Sequence, residues 1–233
     1  MTSEDGATVS AKRGPGRPRS GPDPQRFAQI IEQTAELFKA KGYAATSIQD
    51  IADAVGLLKG SVYHYVDSKE DFLFHIIQGV YRGAVDEMSE VMELDAKPEE
   101  RLAAFVRAHV MFTATHLTAY TVRLREFHNL SDERRRQIRQ GGQAYVDLLA
   151  RILEEGQSAG VFSDEFDLDV LIRVLLGQMN SITRWYTPES SLDPEKLADH
   201  VVALTVGSVI SSRGIGPYGD FETVRAHARQ VTT

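Results

Sequence analysis

The chain has 233 residues, 42% of them apolar, which is enough for a sizeable core, and a formal net charge of −7. It contains no cysteine, which excludes disulfide frameworks and thiolate metal sites and makes a reducing cytoplasm the expected location. The first residues lack the apolar stretch of a signal peptide, and the longest apolar run, Val201 to Ile210, is broken by Thr205, Gly207 and Ser208, so no membrane partner is expected.

The acidity is unevenly placed. Residues 1–69 carry nine Lys or Arg against eight Asp or Glu, and the remainder 17 against 25, a pattern that suggests a neutral to basic nucleic-acid reader joined to an acidic body. Residues 1–23 are rich in Gly, Pro, Ser and Thr and read as a flexible arm. Within it, Lys12, Arg13, Arg17 and Arg19 form a basic run. Gly16-Arg17-Pro18-Arg19 is similar to an AT-hook core that lies in an A·T-rich minor groove, and reads equally well as a solvated basic tail.

From Phe27 the stripe Phe27, Ile30, Ile31, Thr34, Leu37, Phe38 predicts a helix ended by Gly42. Thr46 with Gln49 reads as a capping box opening a short helix with Ile48, Ile51, Ala52 and Val55. After a turn at Gly56, a third short helix puts Leu58, Val62 and Tyr65 inward and leaves Lys59, Gly60, Ser61, Tyr63 and His64 outward. Asp67 or Ser68 then caps a long helix whose apolar positions run from Phe72 to Val91. Further helices are expected at about 98–117, 119–129, 131–158, 167–187 and 193–212. The last two are apolar over most of a circumference, which predicts self-association.

Two short helices around a glycine-containing turn, residues 46–72, form a helix-turn-helix pattern. Lys59, Lys69 and Ser47 suit phosphates, Gly60 allows the DNA backbone close, and Ser61, Tyr63 and His64 can bond to phosphates or base edges. The stretch Val62 to Asp71, with Ala35-Glu36-Leu37-Phe38, Gly42-Tyr43, Thr46-Ser47 and Ile51-Ala52 before it, resembles the TetR family of one-component regulators. Glu154 to Phe162, EEGQSAGVF, also looks like family usage. The resemblance implies an all-α fold: an N-terminal three-helix helix-turn-helix DNA-binding domain (24–69) and a C-terminal helical ligand-binding and dimerisation domain (70–212), with a tail at 213–233. It implies a homodimer on a double-stranded DNA operator and a small hydrophobic effector in the middle helices, with no catalytic residues, metal or cofactor.

Phe105, His109, Phe112, Phe127, Tyr145, Met179, Asn180 and Trp185 are the candidate effector-binding residues. Arg123, Arg125, Arg134 and Arg135 are available to meet an anion. Segments around Glu126 to Leu130 and Arg184 to Tyr186 are similar to family members that answer to acyl thioesters, so an apolar carboxylate or its coenzyme A thioester is the expected effector. Gly141-Gly142 within a helix marks a kink, a close approach of ligand or a surface accident. The competing readings are an all-helical enzyme acting on lipid or acyl thioesters, a nucleoid-structuring protein, and a regulator of drug efflux. No nucleophile–base pair, metal cluster or phosphate loop supports the enzyme.

Overall fold

The computed structural model describes residues 23–190 and 192–210; Arg17, Arg19 and the expected tail at 213–233 lie outside these residues. Nine helices are described: α1 (Pro24–Lys41), α2 (Ile48–Ala54), α3 (Lys59–Val62), α4 (Lys69–Met92), α5 (Pro98–Thr115), α6 (Leu117–Glu126), α7 (Asp132–Ser158), α8 (Leu168–Asn180) and α9 (Pro194–Val209). Short 3₁₀ turns follow α6 at Phe127–Asn129 and α8 at Ser181–Arg184. The fold is all-α, with one isolated bridge, Phe162 to Ile210, in place of any described strand.

Local chemistry sets the helix ends. Ser47, not Thr46, caps α2: its hydroxyl accepts from the Asp50 amide at 3.1 Å while the Asp50 carboxylate accepts from the Ser47 amide at 2.8 Å. Thr46 is buried and donates to the Gly42 carbonyl instead. Ser68 and Asp71 make the equivalent box at α4. The helix expected to run to residue 187 stops at Asn180, where the hydroxyls of Ser181 and Thr183 take the Gln178 and Asn180 carbonyls and tighten the chain.

Two buried clusters form. One joins Ile30, Phe38, Ile51, Val62, Phe72, Leu73, Ile76 and Ile77 with Val122, Leu130 and Ile138 from later in the chain. The other runs from Val80 through α5, α7 and α8 to Val209. Helix α4 passes through both, with its buried positions from Phe72 to Ile77 in the first and those from Val80 to Val91 in the second. Arg134 fastens the start of α7 to the start of α4, pairing with Asp71 and Glu70 and lying over the Phe74 ring at 4.7 Å. The Ser131 amide also donates to Glu70 at 2.7 Å.

Two glycines explain close approaches. Gly142 does not kink α7, which is continuous; a Cβ there would lie 2.6 Å from the Tyr81 ring. At Gly156 a Cβ would lie 1.9 Å from the Phe162 ring. The EEGQSAGVF stretch is therefore a packing device: the chain turns after α7 and drops Phe162 onto its last turn, with the Val161 and Phe162 amides donating to the Gly156 carbonyl.

Helix α8 buries Leu171, Ile172, Leu175 and Met179 but leaves Val170 and Val174 open, and α9 buries Leu197, Val201, Thr205 and Val209 but leaves Leu204 66% exposed. Each helix thus covers one face and presents another. Among the described residues no helix is long and apolar enough to cross a membrane.

Candidate nucleic-acid interface and internal cavity

Helix α3 is only four residues long and is held from below. Val62 and Val66 are buried, and the half-buried Tyr65 ring stacks on Phe27 at 6.2 Å. Arg26 of α1 donates to the Val55 carbonyl at 2.6 Å, fixing α1 to the turn between α2 and α3; the sequence offered no specific signal for this contact. Lys59, Gly60, Tyr63 and His64 are exposed, and Ser61 is half-buried. The inward stripe expected at Leu58, Val62 and Tyr65 is corrected at its first member: Leu58 is 81% exposed. It is the extended N-cap residue, so helical periodicity does not reach it.

The two remaining expected phosphate ligands have other engagements. The Lys69 ammonium donates to the Tyr43 and Thr46 carbonyls, both at 2.8 Å, and lies 4.3 Å from the Tyr43 ring centroid. It clamps the α1–α2 connection onto α4 and is not a free surface charge. Ser47 stays exposed, but its hydroxyl donates to Asp50 at 2.7 Å. Hydrogen bonds from Lys41 and then from Ser47 hold the Asp50 carboxyl well below its usual range. Lys59 has no acidic partner among the described residues.

The expected effector residues separate. His109, Tyr145 and Asn180 come together around a cavity of about 70 Å³, also lined by Val80, Tyr81, Ala84, Tyr120, Arg123, Val146 and Leu176. Phe105 and Met179 are core neighbours of this group, the Phe105 ring 5.3 Å from that of Tyr145. Phe112 belongs elsewhere, on a larger cleft of about 640 Å³ between α1, α4 and the α5–α6 corner. Phe127 packs on the N-terminal core beneath Arg139. Trp185 is 55% exposed and lines none of the described cavities. Of the expected arginines, Arg134 holds α7 to α4 and Arg135 donates to the His128 carbonyl, so neither faces the cavity. Arg123 does.

Inside the cavity the Tyr145 hydroxyl bonds to His109 Nδ1, and Arg123 donates to the Tyr81 hydroxyl and to Asn180 Oδ1, each at 3.0 Å. Burial, and then the Arg123 charge, push His109 down to about 3, so the ring is neutral. Burial also raises the Tyr120 and Tyr145 phenols.

A short exposed helix, braced by a helix-turn-helix and carried on a helical body, defines a DNA-binding transcription regulator. Residues 30–76 match the family model for bacterial regulatory proteins of the tetR family, and residues 95–209 match the tetracyclin repressor-like C-terminal domain. The chain is 32% identical to PfmR, a TetR family transcriptional regulator from Thermus thermophilus, with a TM-score of 0.71 over 77% of this chain and 97% of that one. It is 26% identical over 187 residues to the transcriptional repressor KstR2 of Rhodococcus jostii, covering 80% and 92% of the two chains. It is 29% identical to AibR, solved with isovaleryl coenzyme A and operator DNA, with a TM-score of 0.70 over 77% and 97%. The chain belongs to the TetR family of bacterial regulatory proteins.

Proposed function

We propose that the chain is a repressor that, as a homodimer, holds a two-fold symmetric operator through α3 of each protomer and releases it when an apolar carboxylate or its coenzyme A thioester enters the body. The observation that carries this reading is the α3 surface. Within one short stretch the chain buries Val62 and Val66 while Lys59, Gly60, Tyr63 and His64 are left outward, with little side-chain bulk at Gly60, which suits a helix end laid into a major groove. The open apolar faces at Val170, Val174 and Leu204 support pairing of α8 and α9 with a second copy. The effector class is suggested by AibR, whose structure contains isovaleryl coenzyme A.

Release follows from α4. Its first half, Phe72 to Ile77, belongs to the reader core, and its second half supplies Val80, Tyr81 and Ala84 to the cavity wall. A ligand that widens the cavity by displacing α4 also moves the reader, because α4 carries it. Such a ligand lowers operator affinity only to the extent that it prefers the displaced conformation. A tenfold loss requires about 1.4 kcal/mol of that preference.

Selection of bound duplexes from a random pool, followed by titration with isovaleryl-, long-chain and steroid-derived acyl-coenzyme A, tests the reading. The expected result is a palindromic consensus that survives excess random DNA and is released at micromolar thioester or acid. Binding without sequence preference, or release by cationic or aromatic drugs alone, overturns it.

A further inference from the structure

The Arg123 guanidinium is a cation without a counterion. Its two described acceptors, the Tyr81 hydroxyl and Asn180 Oδ1, are neutral, and it pairs with no carboxylate among the described residues. Its Nε is buried with no hydrogen-bond partner in the chain. The residue is half-buried and its guanidinium lies over the Tyr81 and Tyr120 rings; since a guanidinium cannot shed its proton, an anion is the partner that would neutralise it and take up the free Nε hydrogen.

His109 adds a second unsatisfied group to the same cavity. It is 2% exposed, and its Nε2 has no partner in the chain. The bond between the Tyr145 hydroxyl and Nδ1 runs in either direction according to the ring tautomer; with the hydroxyl as donor, the ring hydrogen lies on Nε2. Two residues that line the cavity thus each hold a buried, unspent N–H group beside one positive charge, with Val80, Ala84, Val146 and Leu176 supplying the apolar part of the lining. An ionised carboxylate is acceptor-only and matches this set. A primary amide carries no charge and exchanges one acceptor oxygen for N–H donors, and a thioester brings a carbonyl without charge.

We propose that the cavity between α4, α5, α6, α7 and α8 is the receptor for a carboxylate head, held by Arg123 and His109, with the apolar tail against Val80, Ala84, Val146 and Leu176. This rests on the reading of the body as the effector site, and it selects the free acid over the thioester as the ligand that enters head first. At about 70 Å³ the space suits the head and a short branched tail; a longer tail requires α4 to yield. Asn180 lines both this cavity and an outer groove of about 390 Å³ that also holds Arg125 and Arg184.

The test measures binding by calorimetry on the full chain without DNA, using 3-methylbutanoate and octanoate, their primary amides and their coenzyme A thioesters. Each acid is expected to bind at least about tenfold more tightly than its amide. Arg123→Gln should bring that ratio close to one, while Arg184→Gln, outside the cavity, should leave it unchanged. The acid-to-amide ratio of the unaltered protein stands even if Arg123→Gln does not fold. Equal affinity for acid and amide, a ratio that Arg123→Gln leaves intact, tighter binding of the thioester than of the acid, or no binding by any probe overturns the assignment. Because DNA is absent from this measurement, an acid that binds with the expected ratio but fails to release operator sinks release by the acid in the proposed function and leaves the receptor standing.

Discussion

The α3 face and the Arg123 cavity both display polar groups without partners in the chain, yet they carry very different physical weight. On α3, Lys59, Tyr63 and His64 stand in solvent, where water satisfies them at little cost, and their exposure alone is compatible with any polar surface. In the cavity, Arg123 Nε and His109 Nε2 are buried, and each unmade bond costs about 1–3 kcal/mol. The exposed face derives its meaning from its architecture, and the buried one from its energy. They also differ in construction: the exposed reader residues are neighbours within one stretch of chain, whereas the cavity gathers ten residues from five helices.

The largest test asks whether the body is needed to present two readers at once. Val174 is 59% exposed and Leu204 66%, so Asp at both positions should leave each protomer folded while breaking the pair. Sedimentation should then report monomers, and operator affinity should fall by about 100-fold, or roughly 2.8 kcal/mol. A stable dimer carrying both changes removes this interface.

Two glycines put the regions side by side. Gly156→Ala places a methyl group against the Phe162 ring and should cost about 1–3 kcal/mol in chemical denaturation through overpacking. A Cβ on Gly60 meets nothing within 4 Å. Gly60→Ala should therefore leave stability unchanged or slightly improved and weaken DNA binding alone. Equal losses of stability at both positions would contradict the assignment of Gly60 to a DNA-facing surface.

A smaller effect separates two lysines that look alike in the sequence. Lys69→Ala removes the clamp on the Tyr43 and Thr46 carbonyls and should lower stability by about 1 kcal/mol or more, with little change in the salt dependence of DNA binding by the folded fraction. Lys59→Ala should do the reverse, leaving the melting temperature alone and reducing the slope of log affinity against log salt by about 1. If Lys69→Ala flattens the salt slope without a stability loss, the ammonium leaves its carbonyls for a phosphate when DNA binds.

The helices were legible because each repeats its apolar residues at a helical period over several turns, as from Phe72 to Val91 in α4. Leu58 defeated that logic, since a four-residue helix is too short for its period to extend to the cap. Thr46 and Ser47 are adjacent hydroxyl residues, and only the position of Asp50 settles which one caps α2. Composition says that a ring is buried but not against what: Phe127 packs on the N-terminal core, and Phe112 lies in the C-terminal core on the side that faces the larger cleft. Arg123 stood undistinguished among four arginines. A usable signal was Tyr120 three residues before it, with Tyr81 on another helix: phenols inside a fold require partners, and Arg123 lies over both rings and donates to the Tyr81 hydroxyl.

The smallest prediction concerns acid sensitivity. His109 is held neutral in the fold, its value lowered from 6.5 to about 3 by burial first and by Arg123 second, with Tyr120 and Tyr145 the other groups around the ring. In the unfolded chain the same ring takes up a proton near pH 6.5. The unfolded state therefore binds more protons between these limits, so stability is complete above about pH 6.5 and declines as pH falls toward 3. The slope approaches about 1.4 kcal/mol per pH unit. Burial lowers His75 in the same direction and adds a part. Asp71 acts in a different window: although burial opposes its ionisation, bonds from Ser68 and the Arg134 charge hold it below 3.8, so its contribution is lost only in stronger acid. Urea unfolding at pH 7 and pH 5.5 should thus show a loss of about 1 kcal/mol that His109→Gln largely abolishes. Saturating the protein with a carboxylate that binds the cavity should shrink the same loss, because an anion beside the ring stabilises its protonated form. A loss that His109→Gln leaves intact would trace the proton uptake to other groups and separate the buried ring from the acid sensitivity of the fold.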